Sequence, residues 1–274
     1  MTLVDNLHLP TALKNHHLGN SMSRYAIFQM YEPFRQSLIE RHEFYVRQAR
    51  SRLLSQFGDI DGDAERAAEE WLERSGRYFD PDRDDVGAFY ESADEEAISF
   101  YTMLTEMHEQ TRLSVVAGMY HEWDKQFRDW TVREIHHWHQ GDEVGAKIWT
   151  QNSENLADLF AGLKWDYREE PYYQMIDACR LVVNVYKHGK GNSFDELNLR
   201  HPSYFPSPFS NLPDLNWRHI DYQQLKVSDE NITEFAEAIT SFWKAVPERI
   251  MNDVDGDLPR WFEKAWLKDR ESAD

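Results

Sequence analysis

One run constrains this chain more than any other: EEPYYQMIDACRLVVNVYKHGKGNSFDELNLR, residues 169–200. Two acids and Pro171 suit the first turn of a helix, because proline lacks only an N–H that has no partner there, and Gly189 marks the stop. Between them Tyr173, Met175, Ile176, Cys179, Leu181, Val182, Val183, Val185 and Tyr186 cover almost the whole circumference. Such a helix has to be buried on most sides, and the rest of the chain is organised around it. Its polar residues then become informative. Arg180, Asn184 and His188 stand at i, i+4 and i+8 and form one stripe. A guanidinium, an amide and an imidazole in line on a buried helix each need a partner.

The remaining sequence supplies helices to surround it. Tyr25, Phe28, Met30, Tyr31, Phe34, Leu38, Phe44, Tyr45, Leu53 and Leu54 predict a long amphipathic helix, or a pair kinked at Pro33, over about 23–57. An acidic stretch over 58–96 carries a short helix near 64–75 and then an exposed connection. Ser92 with Glu95 has the form of a capping box opening a helix to His139, in which Val116, Tyr120, Trp123, Phe127 and Trp130 make a core stripe ending before Gly141. Residues 143–162 read as another short helix, with Ile148, Trp149, Leu156, Leu159 and Phe160. In HPSYFPSPFSNLPDLNW, residues 201–217, Pro202, Pro206, Pro208 and Pro213 forbid regular structure, while Tyr204, Phe205, Phe209 and Trp217 can pin the loop. YQQLKV, 222–227, has the pattern of a short strand with nothing obvious to pair with. Ser228 caps a helix through Ile232, Phe235, Ala236, Ile239, Phe242, Trp243 and Val246 to Pro247, and a last segment over 258–269 carries Trp261, Phe262 and Trp266. The expected fold class is all-α: a loosely ordered lead over 1–22, a helical bundle over 23–200, and a Pro/aromatic loop with C-terminal helices over 201–274 packed on the bundle.

Charge narrows the function. With Lys+Arg 30 against Asp+Glu 49, the net charge of -19 excludes a broad electrostatic grip on nucleic acid, so any RNA site is local. No apolar run has signal-peptide or membrane-spanning length, which predicts a soluble cytoplasmic protein with no membrane partner. The single Cys179 permits no internal disulfide and reads as a packed thiol.

Four stretches invite chemistry and have plainer readings. GDIDGDAERAAEE puts Asp59, Asp61, Asp63 and Glu70 at calcium-loop positions, but Ala64 takes the place of the required glycine. NDVDGDLPR has Lys264 where the closing glutamate belongs. Helix capping accounts for both. His136, His137 and His139 lack zinc spacing, and histidines near a helix C-terminus are favoured by its dipole. The run from Gly189 to Ser193 follows a helix and lacks the order of a phosphate loop. No cofactor and no metal are expected.

The helix ending CRLVVNVYKHG, preceded by aromatic helices such as RLSVVAGMYHEWDKQF, resembles the HEPN superfamily over about residues 90–200. Many of these helical proteins are metal-independent ribonucleases of bacterial toxin and antiphage defence systems. Members carry an arginine, commonly followed by a polar residue, and a histidine a few residues on. Here Asn184 and His188 take the polar and histidine places, Val183 takes the arginine place, and Arg180 lies one turn earlier. The resemblance implies a homodimer with a roofed cleft where two stripes meet. In it His188 would serve as general base or acid for an RNA 2′-hydroxyl or leaving oxygen. Arg180 or Lys187 would offset phosphoryl charge and Asn184 would orient phosphate or imidazole, giving cyclic-phosphate and 5′-hydroxyl ends. The alternative is a catalytically inactive adaptor or sensor acting through dimerisation or a protein partner. There Arg180 pairs with Asp177 or Glu122, Asn184 bonds backbone, and His188 caps its own helix.

Overall fold

Side-chain caps from Asp59, Asp85, Asn152 and Ser228 open four of the helices. The computed structural model describes residues 25–206, 220–251 and 257–273. Among them stand nine helices: α1 Glu32–Arg52, α2 Ile60–Gly76, α3 Val86–His136, α4 Glu143–Thr150, α5 Ser153–Gly162, α6 Tyr173–His188, α7 Asn192–Arg200, α8 Asp229–Ala245 and α9 Arg260–Ala273. Beside them lie short 3-10 turns and one antiparallel pair, β1 Ala26–Gln29 and β2 Arg249–Met251. The chain is therefore all-α in class. Among the described residues no helix is long and apolar enough to cross a membrane. The expected lead over 1–22, together with Pro208, Phe209, Pro213 and Trp217 and residues 252–256 of the second acidic turn, lies outside the described residues.

Several starts differ from the spacing-based expectation, each for a local reason. Residues 26–29 are a strand, because Ile27 and Phe28 are adjacent and both buried, which suits an extended chain covered on both faces. Pro33 does not kink a helix but sits in the first turn of α1, where its missing N–H costs nothing. Ser92 lies inside α3 and its hydroxyl donates to the Ala88 carbonyl at 2.9 Å. The cap is Asp85, whose carboxylate accepts from the amides of Gly87 (2.7 Å) and Ala88 (3.2 Å). Residues 143–162 form two helices, α5 restarting where Asn152 accepts from the Asn155 amide at 2.8 Å. Tyr222–Gln224 is a turn of 3-10 helix rather than a strand, closed by a capping box between Asp221 and Gln224.

The chain divides into two compact units. The first joins the segment ending at Glu43, Tyr120–Arg180 and Glu234–Asp274. Its centre is aromatic: the Phe127 ring lies 5.0 Å from those of Phe160 and Phe242 and 5.8 Å from Tyr167, while Trp130 stacks on Phe160 at 6.0 Å. Side chains of α3, and Trp138 just beyond its end, close the open edge of β1. The Gln29 amide donates to Glu134 at 2.9 Å, and Trp130 and Trp138 donate to the carbonyls of Gln29 and Ile27 at 3.3 and 2.6 Å. A strand edge covered this way cannot recruit another strand. Asp269 of α9 accepts from the His139 ring at 2.8 Å and from the amides of Glu143 and Val144 at 2.9 and 3.1 Å, so it caps α4 from far away in sequence. Gly141, at φ +124°, makes room for that carboxylate, which a Cβ would strike.

The second unit joins Phe44–Met119 and Leu181–Thr233. Tyr45 donates to the Val115 carbonyl at 3.1 Å, and Arg112 binds Asp229 at 2.9 Å and Glu109 at 3.3 Å. Phe57 stacks on His108 at 4.7 Å, and Phe89 packs against Trp71 and Phe79. Aliphatic residues of α6, Leu181, Val182, Val183 and Val185, are buried here.

Candidate functional site

The polar stripe does form on α6, but its members meet different surroundings. The helix ends as its sequence predicts: Gly189 adopts φ +68° and its amide donates to the Val185 carbonyl at 2.8 Å. Arg180, in the first unit, is tied to its own helix. Its Nε donates to Asp177 Oδ1 at 2.8 Å and its Nη2 stands 2.7 Å from the same oxygen. The arginine side chain is 17% exposed and the aspartate 6%. Burying a carboxylate is costly unless a charge-assisted partner accompanies it, so each side chain of this pair fixes the other.

Asn184, Lys187 and His188 belong to the second unit. Asn184 is half-buried, while Lys187 and His188 are exposed on the last turn. Among the described residues neither the Asn184 amide nor the His188 ring has a side-chain hydrogen bond or ion pair. Val183, at the family's arginine position, is 1% exposed. Lys187 and His188 are thus both accessible on the last turn, and Arg180 is held by Asp177. Cys179 is a packed thiol, and burial pushes its pKa far up, away from any nucleophilic role.

The second unit also holds a cleft of about 660 Å³. Glu106 and Glu109 of α3, Tyr186 of α6, and Tyr222, Leu225 and Lys226 are among its lining residues. None of Asn184, Lys187 or His188 lines it. Tyr186 shares a hydrogen bond with Ser114 at 2.8 Å, and the Tyr222 ring packs 3.4 Å from where a Cβ on Gly189 would stand. Lys190 pairs with Asp221 at 2.9 Å, which lowers the Asp221 pKa mainly through that contact. The sequence carried one signal for this cleft, the carboxylates Glu106 and Glu109 one turn apart in a run without lysine or arginine. The reading of YQQLKV as a strand hid the other wall.

The motifs set aside on sequence have structural roles. Asp59 caps α2 by accepting from the Gly62 amide at 3.2 Å, and because α2 begins at Ile60 the residues from Asp61 to Glu70 are helical and do not form a calcium loop. His139 is buried against Asp269 and its ring stacks on Trp266 at 3.9 Å, whereas His137 is exposed and stands 3.8 Å from Glu134. Among the described residues no group of three or more His, Cys, Asp or Glu could hold a metal ion. No protein-family model, curated protein or solved structure matches the chain.

Proposed function

We propose that the chain acts by binding rather than by chemistry, as a HEPN-type helical adaptor or sensor of the cytoplasm in which α6 is a packed spine. The closed ion pair between Arg180 and Asp177 carries this reading. Cleaving a phosphodiester requires a cation poised to offset charge growing on the phosphoryl oxygens. Arg180 directs two nitrogens to Asp177, and the neighbouring family position is the buried Val183. An exposed imidazole offers proton transfer without that stabilisation. The single Cys179, buried and unpaired, fits a reducing compartment. The test is incubation of purified protein with tRNA and mRNA, together with expression of wild type and His188→Ala. RNA stays intact and both proteins are equally tolerated. Cleavage to cyclic-phosphate and 5′-hydroxyl ends that His188→Ala abolishes overturns the reading.

A second reading, a metal-independent endoribonuclease working as a homodimer, is favoured by the accessible Lys187 and His188 on one helix turn. In it Lys187 supplies the cation and Asn184 orients the ring or the phosphate, with the facing stripe coming from a second copy. Lys187→Ala and His188→Ala would then each lower cleavage at least tenfold at an unchanged melting temperature, and sedimentation would give a dimer.

A further inference from the structure

Tyr90, Asp94, Ile98, Tyr101, Thr105 and Glu109 recur at intervals of four, four, three, four and four residues along α3. At about 100° per residue they stay on one side of the helix, and at about 1.5 Å per residue the strip is about 28 Å long. Its three large apolar members face solvent: Tyr90 is 58% exposed, Ile98 67% and Tyr101 44%. A single exposed apolar side chain is ordinary, but a row of them on one helix side marks an interaction surface. The strip also runs into the cleft, because Thr105 and Glu109 belong to both. Everything named lies in the second unit.

Charge identifies what covers it. Between Arg83 and Arg112 the chain has no lysine or arginine and eight carboxylates, from Asp84 to Glu109. A second copy presenting the same strip would set carboxylates against carboxylates, which disfavours that pairing, and an RNA phosphate backbone would be repelled. A helix whose apolar side is bordered by Lys and Arg satisfies both features, since its apolar residues cover Tyr90, Ile98 and Tyr101 while its cations meet Glu91, Asp94 and Glu95. The cleft beyond Thr105 is roomy enough for an anchoring side chain at the end of that helix. The geometry points to the outer strip of α3 and the adjoining cleft as the docking surface for a cationic amphipathic helix of another protein. This names the partner class of the binding reading and rests on it.

The experiment uses the full chain and a synthetic Leu/Lys helix of about five turns, labelled for fluorescence anisotropy, beside a scrambled isomer of identical composition. The amphipathic peptide binds at least tenfold more tightly than its scramble, and binding weakens as salt is raised. Ile98→Ser/Tyr101→Ser and Glu91→Lys/Asp94→Lys, all surface changes, each lower the affinity at least tenfold while the thermal unfolding curve stays unchanged. Equal binding of peptide and scramble overturns the proposal, as does undiminished binding by both double variants. So does a wild-type dimer that Ile98→Ser/Tyr101→Ser converts to a monomer, which makes a second copy the occupant. The two failures are distinguishable: loss of peptide binding with RNA intact removes this surface alone, whereas RNA cleavage removes the binding reading whatever the peptide does.

Discussion

In the unit built on Tyr120–Arg180 the rings at the centre are shut in, with Phe127, Trp130, Phe160, Phe242 and Trp243 each at 1% exposure or less, while Tyr31 and Trp149 face solvent at its margin. In the unit built on Phe44–Met119, Tyr78, Tyr90, Ile98, Tyr101, Met103 and Met107 face solvent. Both units draw on the same kinds of residue, so the contrast is one of placement and not of composition. The first converts aromatic area into stability. The second leaves apolar area open beside carboxylates, where it adds little to folding and is free to meet a ligand. The largest test of that contrast is Phe127→Ala, which opens a cavity among rings on several sides and costs about 3–5 kcal/mol. Tyr90→Ala on the open strip stays within about 0.5 kcal/mol. Urea unfolding of both variants decides, and similar losses would erase the distinction.

A smaller effect probes how the first unit holds its C-terminal helix. Asp269→Ala strips an acceptor from the His139 ring and from the amides of Glu143 and Val144 at once. Leaving such buried donors unpaired costs about 2–4 kcal/mol. Burial pushes the Asp269 pKa up, but the His139 contact and the two amides outweigh it and hold the carboxyl below its usual value. A depressed carboxyl contributes stability that is fully present above its unfolded pKa, about 4, and is lost as pH falls through the folded value. Wild type therefore loses this part of its stability in acid, and Asp269→Asn, measured by denaturation across that range, lacks the corresponding slope.

Milder still is the imidazole of His42, which donates to the Ala236 carbonyl at 3.0 Å. Burial lowers its pKa, only partly countered by that carbonyl and by Glu43. The fold therefore favours the neutral ring. Its contribution is complete above the unfolded pKa of about 6.5 and declines as pH drops below it. The melting temperature should fall between pH 7 and pH 5, and His42→Gln should flatten part of that fall. His108 of the second unit, lowered by burial and then by Arg112, shifts the same way from a more open place, so His108→Gln should flatten it less. A larger effect at His108 would reverse the ordering of the two units.

What could be read from the sequence follows the same division between local and distant causes. The buried stripe Val116, Tyr120, Trp123, Phe127 and Trp130, the Gly189 stop and the Ser228 cap depend on residues within a few turns, and spacing reveals them. The pairing of Ala26 with Met251 and the capping of α4 by Asp269 join distant segments, and no local pattern announces them. Ser92 with Glu95 failed differently: the capping-box pattern also occurs in helix interiors, and Asp85, earlier in the chain, had already opened the helix. For the candidate site, the stripe on α6 was legible because it needs only helical period. The fate of Arg180 was among the alternatives, since Asp177 lies three residues away, but the choice between an open cation and a closed pair depends on burial. The cleft was not legible, as Tyr222, Leu225 and Lys226 reach it from a segment remote from α3.

The smallest expected effect is the sharpest test of the contrast, because a change near zero has to coincide with a large one elsewhere. Ile98 and Tyr101 are 67% and 44% exposed on the outer side of α3, so replacing both by serine removes less area that folding had taken from water than opening the core at Phe127 does. Serine, isoleucine and tyrosine have nearly equal helix propensity, which keeps the total within about 0.5 kcal/mol. If the strip served the fold, the double variant would unfold at clearly lower urea and bind the cationic helix only in proportion to its folded fraction. If it serves a partner, the unfolding midpoint stays in place while the affinity drops. Measuring both on one preparation separates surface kept for recognition from surface left over by an incomplete core, since only the first lets binding fall while stability holds.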